Sequence, residues 1–210
     1  MSDHVPVLSY GAELKRKALH LGALLGPVGL LVLGRTAMLL FLVPLAVVAV
    51  FLDVARQRWA WLHRWIEGVF GAIMRPEEQP PFGGPLVLNG ATWMCVSAAL
   101  CAALFPAPIA AAALAIQMVG DGAAAVVGRR YGRHRYPFSP KSLEGSAAFF
   151  LTGLLTVLPL TALVAPGYAP LAPLQLGLGA LAGTVAEALP FPINDNVRVP
   201  LLAGLVMALL

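Results

Sequence analysis

An aspartate in the middle of an apolar run is the first residue in this sequence that points to chemistry. Asp121 lies in MVGDGAAAVVG. An acid at the centre of a membrane helix costs about 2.5–3.5 kcal/mol, so it faces a cavity, an ion or a partner side chain. Gln117, Asp121, Ala124 and Gly128 share one helical face, and Gly120 and Gly122 leave room for close approach. The bland alternative is a packing acid neutralised by one basic side chain. Nearer the start, ELKRKALH places Glu13, Arg16, Lys17 and His20 at i, i+3, i+4 and i+7. Basic residues at a helix end that merely enforce topology would explain part of this stripe. They would not explain why an acid and a histidine share it.

Two further segments carry polar chemistry. In Ser139-Pro140-Lys141-Ser142-Leu143-Glu144-Gly145, Ser followed by Pro predicts a helix N-cap and first position. A helix N-terminus offers free N–H groups and the positive dipole end to an anion. Lys141 would then sit in the first helical turn, unfavourably unless a phosphate is present. Arg129, Arg130, Arg133 and Arg135 add positive charge nearby, which a loop facing anionic lipid would also carry. Further on, TVAEALPFPINDNVRVP places Glu187 before Asp195 and Asn196. Such oxygen donors suit Mg²⁺, although an Asn/Asp turn capping the next helix explains Asp195 and Asn196 equally well. Asn89 and Thr92 in NGATWM, with Gln117, are weaker candidates for the same cavity. Acids, a basic loop and a helix N-terminus together suit a metal–polyphosphate and a lipid acceptor, because phosphoryl transfer needs mainly positioning and charge neutralisation.

The elements that position these residues are read from the apolar pattern. Of the 210 residues, 59% are hydrophobic and 11% charged, and the mean hydropathy is +0.82. That excludes a disordered chain and argues against a soluble globule. Apolar runs fall at about 18–34, 37–52, 86–105, 107–128, 146–165, 171–190 and 197–210. They lack the alternation of strands. The reading is all-α: a polytopic transmembrane bundle of about seven spans forming a single domain over 1–210, with no cleaved signal segment. Trp59, Trp61, Trp65, Ile66, Val69 and Phe70 predict an amphipathic interfacial helix over about 58–75. With the N-terminus inside, thirteen of the 14 basic residues fall on the cytoplasmic side and only Arg35 outside. The site is therefore expected on the cytoplasmic face, with 129–145 as its nucleotide loop, in a prokaryotic cytoplasmic membrane. Cys95 and Cys101 show neither disulfide nor metal spacing, and the four His show none for a metal.

Three motifs in order resemble a known family. E-x-x-R-K-x-x-H at 13–20, GDGAAAVVGRRYG with SPKSLEGS, and AEALPFPINDNVRVPLLAG resemble the CTP-dependent lipid-alcohol kinases, the dolichol kinase, phytol kinase and yeast-type diacylglycerol kinase group. The middle motif is also similar to that of the CDP-diacylglycerol synthases. The chain departs from those after Gly145, having Asp195-Asn196 in place of their K-D…P-G-H-G-G…D-R-x-D block. The resemblance implies that CTP and a long-chain alcohol (polyprenol, phytol or diacylglycerol) give CDP and the lipid monophosphate, with Mg²⁺. It implies that Asp121 holds the metal or orients the acceptor hydroxyl, and that Glu187, Asp195 and Asn196 complete the metal or acceptor side. Lys141 joins Asp121 and Glu187 as catalytic. Arg16, Lys17, Gly128, Arg129, Lys141, Glu144 and Gly145 fall to the nucleotide, and His20, Asn89 and Gln117 to the acceptor cavity. The partners are CTP, the lipid and the bilayer, with no nucleic acid. Two other readings stand beside this one: a cytidylyltransferase making a CDP-lipid, and a cation- or proton-coupled transporter using Asp121 and Glu187. A transporter would show inverted repeats, and none is visible in the sequence.

Overall fold

The computed structural model describes residues 10–163 and 167–210. Among the described residues it has nine α-helices and no strand: α1 (Tyr10–Gly22), α2 (Leu25–Val32), α3 (Gly34–Arg56), α4 (Ala60–Phe70), α5 (Gly90–Leu104), α6 (Ala107–Tyr131), α7 (Leu143–Leu163), α8 (Pro173–Ala188) and α9 (Asp195–Ala208). Each later apolar run of the sequence becomes one helix. The first run divides between α1 and α2 at Ala23–Leu24.

The organising element is α6. It contacts α1, α2, α5, α7, α8 and α9. Its first half, with Ala110, Ala111, Ala112, Ala113, Ala115 and Ile116 fully buried, is smooth enough for neighbours to approach on every side. Small residues then set the closest crossings. A Cβ on Gly120 would lie 2.9 Å from the ring of Phe149 on α7. One on Gly145 would lie 3.4 Å from the Cα of Gly128. By contrast α3 turns Leu40, Phe41, Val47, Val48 and Phe51 outward. Three helices are long and apolar enough to cross a membrane: Gly34–Arg56, Ala107–Tyr131 and Leu143–Thr161.

Local chemistry fixes the ends. Asn89 caps α5 by accepting from Thr92 N, and Asn194 caps α9 by accepting from Asn196 N at 3.0 Å. Arg35 closes the other end of α5, donating from Nε to the Ala102 carbonyl at 2.7 Å and from Nη2 to that of Ala103. The one basic residue assigned outside is thus a helix C-cap.

The start of α7 corrects the sequence reading. Ser139 and Pro140 do not open the helix. Ser142 does, its Oγ accepting from Gly145 N at 3.1 Å, and the helix begins at Leu143. The chain before it folds back on itself: Tyr136 N donates to Lys141 O at 3.1 Å and Leu143 N to His134 O at 2.9 Å, with a bridge between Arg135 and Ser142. Lys141 therefore precedes the cap and is not in the first turn of a helix. Further back, α4 forms within the predicted 58–75 segment but ends at Phe70, followed by a 3-10 turn over Gly71–Ile73. Leu62 and Ile66 face inward with Ala55 and Met74, while Trp61, Trp65 and Val69 stay exposed.

Candidate active site

A cavity of about 380 Å³ opens where α5 and α9 begin. It is lined by Arg16 from α1, Arg75 and Glu78 from the segment after α4, Gly90 and Trp93 from α5, Asp121 from α6, and Phe191 to Asn196 at the α8–α9 corner. Two cations, three acids and a short apolar wall converge there from stretches more than a hundred residues apart.

Asp121 is the intramembrane acid expected from the sequence, and it faces this cavity. His20, itself buried, places Nε2 at 3.9 Å from Asp121 Oδ2. One turn earlier, Gln117 Nε2 donates to Asn196 Oδ1 at 3.3 Å, and Asn196 Nδ2 donates to Gly90 O at 3.2 Å. Gln117 and Asn196 thus join α6, α9 and α5 behind the cavity. The side chains of Glu13 and Lys17 lie outside the described ones.

Lys141, Glu187 and Asp195 form a second, adjoining cluster. Lys141 Nζ lies 2.8 Å from Glu187 Oε1 and 2.9 Å from Asp195 Oδ2. Asp195 Oδ1 accepts from Arg198, which also donates from Nη1 to Phe191 O at 3.1 Å. The Arg198 guanidinium lies over the Phe191 ring at 5.5 Å. Burial would pull the Lys141 ammonium down, but Glu187 and Asp195 outweigh it and hold its pKa above the ordinary lysine value. The cation that the sequence reading called mispaired has two carboxylates.

Several predicted nucleotide residues have partners elsewhere. Glu144 accepts from His134, with its Oε1 2.7 Å from Nδ1, and so fastens the 132–142 turn. Gly128 meets Ser142 Oγ and Gly145 across the α6–α7 crossing. Arg129 sits in the last turn of α6. None of these four, Gly145 included, is among the walls of the cavity. Asn89 points to Asp53, its Nδ2 donating to Oδ1 at 2.9 Å, and only its neighbour Gly90 reaches the cavity. Sequence reasoning missed Arg75 and Glu78. They stand in a Pro- and Gly-rich stretch with no periodicity, and nothing local ties them to Asp121. It also missed the apolar wall of Trp93 and Phe191 to Ile193.

The donor set decides what metal chemistry fits. Among the described residues no three His, Cys, Asp or Glu side chains converge as a metal cage. Both oxygens of Asp195 are already engaged by cations. Mg²⁺, however, binds through one or two carboxylates plus substrate phosphates and retained waters. Asp121 on the cavity wall fits that mode.

The fold and cavity define, among the described residues, an all-helical protein with membrane-length helices and a charged pocket lined from α1, α5, α6, the segment after α4 and the α8–α9 corner. Comparison with known proteins takes the class further. An uncharacterized protein of Rickettsia prowazekii is 30% identical over 142 residues, 68% of this chain and 67% of that protein. A probable chloroplastic phytol kinase of Triticum aestivum is 42% identical over 111 residues, 49% of this chain. The CTP-dependent diacylglycerol kinase 1 of Saccharomyces cerevisiae is 27% identical over 180 residues, 77% of this chain. The matched segments span 37% of the wheat protein and 60% of the yeast protein. No family model matches the chain, and no solved structure does. The chain is thus homologous to phytol kinases and to the yeast CTP-dependent diacylglycerol kinase, and these likenesses support a place in that lipid kinase family.

Proposed function

We propose that the protein transfers the γ-phosphoryl group of CTP to the hydroxyl of a long-chain lipid alcohol, releasing CDP and the lipid monophosphate. The observation that carries this reading is the cavity, whose lining joins Arg16, Arg75 and Asp121 with Trp93 and the Phe191–Ile193 corner. The charged lining suits phosphates, and the exposed Phe191 and Ile193 at the corner suit the first carbons of an isoprenoid or acyl chain. The names of the phytol kinase and CTP-dependent diacylglycerol kinase relatives support the same reaction class.

In this reading Arg16 and Arg75 hold phosphate oxygens, where guanidinium forks match phosphate geometry. Asp121 would hold a Mg²⁺ ion brought in with the nucleotide, which would supply neutralisation of the phosphate charge. Arg198, Asp195 and Lys141 fasten the α8–α9 corner so that Phe191 and Ile193, both more than half exposed, stay at the mouth of the cavity. The acceptor oxygen attacks the γ-phosphorus, the bond to the β-phosphate oxygen breaks, and the hydroxyl proton leaves to solvent or phosphate.

The membrane arrangement belongs to the same proposal. The seven apolar segments of Ala18–Val32, α3, α5, α6, α7, α8 and α9 pass through the bilayer. The cavity and the 132–142 turn face the cytoplasm in this arrangement; with the N-terminus inside, the thirteen-to-one distribution of basic residues favours it. The exposed Trp61 and Trp65 of α4 lie in the interface. The test is a purified-protein assay with labelled CTP and a panel of phytol, polyprenols and diacylglycerol. CDP and a lipid monophosphate are the expected products. Pyrophosphate with a CDP-lipid would overturn the kinase reading in favour of a cytidylyltransferase.

A further inference from the structure

The last turn of α3 carries a buried ion pair that takes no direct part in the cavity. Asp53 is 1% exposed and Arg56 is 0% exposed. Arg56 Nε donates to Asp53 Oδ1 at 2.8 Å. The pair does not close on itself. Asp53 also accepts twice from Asn89, from Nδ2 at 2.9 Å into Oδ1 and from the backbone N at 2.8 Å into Oδ2. Arg56 Nη2 donates to the carbonyls of Glu78 at 2.9 Å and Val87 at 3.2 Å. Gln57, also buried, donates to Val87 O at 3.0 Å.

These outside partners all lie between Glu78 and Asn89, a stretch with three prolines and two glycines and no helix after its first residue. Such a segment has no ladder of its own to define its path. Asp53, Arg56 and Gln57 grip it near both ends. What it delivers at those ends is part of the cavity wall. Arg56 holds the carbonyl of Glu78, whose residue lines the cavity, and Arg75 N donates to its Oε2 at 3.1 Å. At the other end Asn89 leads into Gly90, whose carbonyl accepts from Asn196, which accepts in turn from Gln117 one turn before Asp121.

Stability alone is a poor account of this pair. A buried ion pair is on average no better than apolar packing of the same volume. Here one terminal nitrogen of Arg56, Nη1, is buried with no acceptor. The planar guanidinium fork excels at fixing two carbonyls at a set distance and angle. We propose that Asp53 and Arg56 are positioning residues for phosphoryl transfer: they act through the 78–90 segment, setting Glu78 as an additional site residue and Gly90 as its neighbour against the cavity. This inference rests on the kinase reading for its kinetic test and on structure alone for its second test.

The experiment uses the full chain purified in detergent, with kcat and KM for CTP referred to folded protein. Asp53→Asn removes the counter-charge and is expected to lower kcat at least about tenfold, since small misplacements at such sites are expensive. Glu78→Gln is expected to do the same. The double variant should stay within about threefold of the weaker single, because both act through one unit. A merely structural pair predicts a lower melting temperature with kcat and KM unchanged, or defects that multiply. Either result overturns the proposal. Gln57→Leu is the milder companion, losing one of the two hydrogen bonds to the Val87 carbonyl but keeping the ion pair. Hydrogen exchange should speed over 78–90 in this variant while the α6–α7 amides hold their protection. Unchanged exchange over 78–90 would overturn the clamp whatever the enzyme's substrate, whereas a wild-type protein inactive on every alcohol would overturn the kinase reading alone.

Discussion

Lys141 reaches across the molecule to Glu187, with its ammonium 2.8 Å from the carboxylate Oε1 and the two residues 46 positions apart in sequence. Its second partner, Asp195, lies 54 residues away at 2.9 Å. One side chain thus ties the turn before α7 to the corner between α8 and α9, beside the cavity.

Lys141→Ala should therefore destabilise the protein without any ligand present. Removing the cation leaves Glu187 buried with its charge uncompensated, at a cost of about 1–3 kcal/mol. The melting temperature in detergent should fall. A level or raised melting temperature would show that the pairing contributes nothing. The pKa of Lys141 is raised by its two carboxylates, so its contribution is complete below the ordinary lysine pKa. It should be lost only as pH rises through the raised value, leaving it constant across neutral pH.

Asp121→Asn should leave folding nearly intact, since a neutral amide is cheaper to bury than a carboxylate. Turnover should fall below about a tenth of wild type, which is about 1.4 kcal/mol of barrier, at every Mg²⁺ concentration tried. Activity above that level would remove Asp121 from the metal role.

Arg75→Gln should weaken CTP binding. A hydrogen bond to a charged phosphate is worth about 1.5–3 kcal/mol, and Arg16 shares the cavity, so the lower end is expected. Equilibrium dialysis with labelled CTP reads the change directly. Unaltered affinity would place the nucleotide away from the Arg75 side of the cavity.

Gly120→Ala tests the α6–α7 crossing apart from the chemistry. The new Cβ would lie 2.9 Å from three ring atoms of a fully buried Phe149. Overpacking of this kind costs about 1–3 kcal/mol. Adding Phe149→Leu should recover part of the loss, while catalysis per folded molecule stays unchanged. A melting temperature equal to wild type in the single variant would mean that α7 shifts freely.

A cysteine at Arg133 should be labelled from the cytoplasmic side only. The neighbouring turn carries Arg135 and Lys141 on the same side of the membrane in the proposed topology. Labelling from outside in intact cells would invert the bundle.

Much of this protein is legible in its sequence because hydropathy and capping are local properties. The run 107–128 becomes α6 and the run 37–52 lies within α3, and Asn89 and Asn194 cap the helices that follow them. Asp121 declares itself because a carboxylate in an apolar helix needs a cavity or partner wherever the rest of the chain goes. Tertiary structure alone decided how these pieces meet. Ser139 and Ser142 are both able to cap a helix, and the turn that pairs Tyr136 with Lys141 selected Ser142. That choice moved Lys141 out of the helix and onto Glu187 and Asp195. Glu78 stands at the cavity with its carbonyl held by Arg56 of α3 and its carboxylate accepting from Arg75 N, contacts that no side-chain pattern reveals. Side-chain period records which face of a helix is apolar. Which charge meets which depends on distances between segments far apart in the chain, and those exist only after packing.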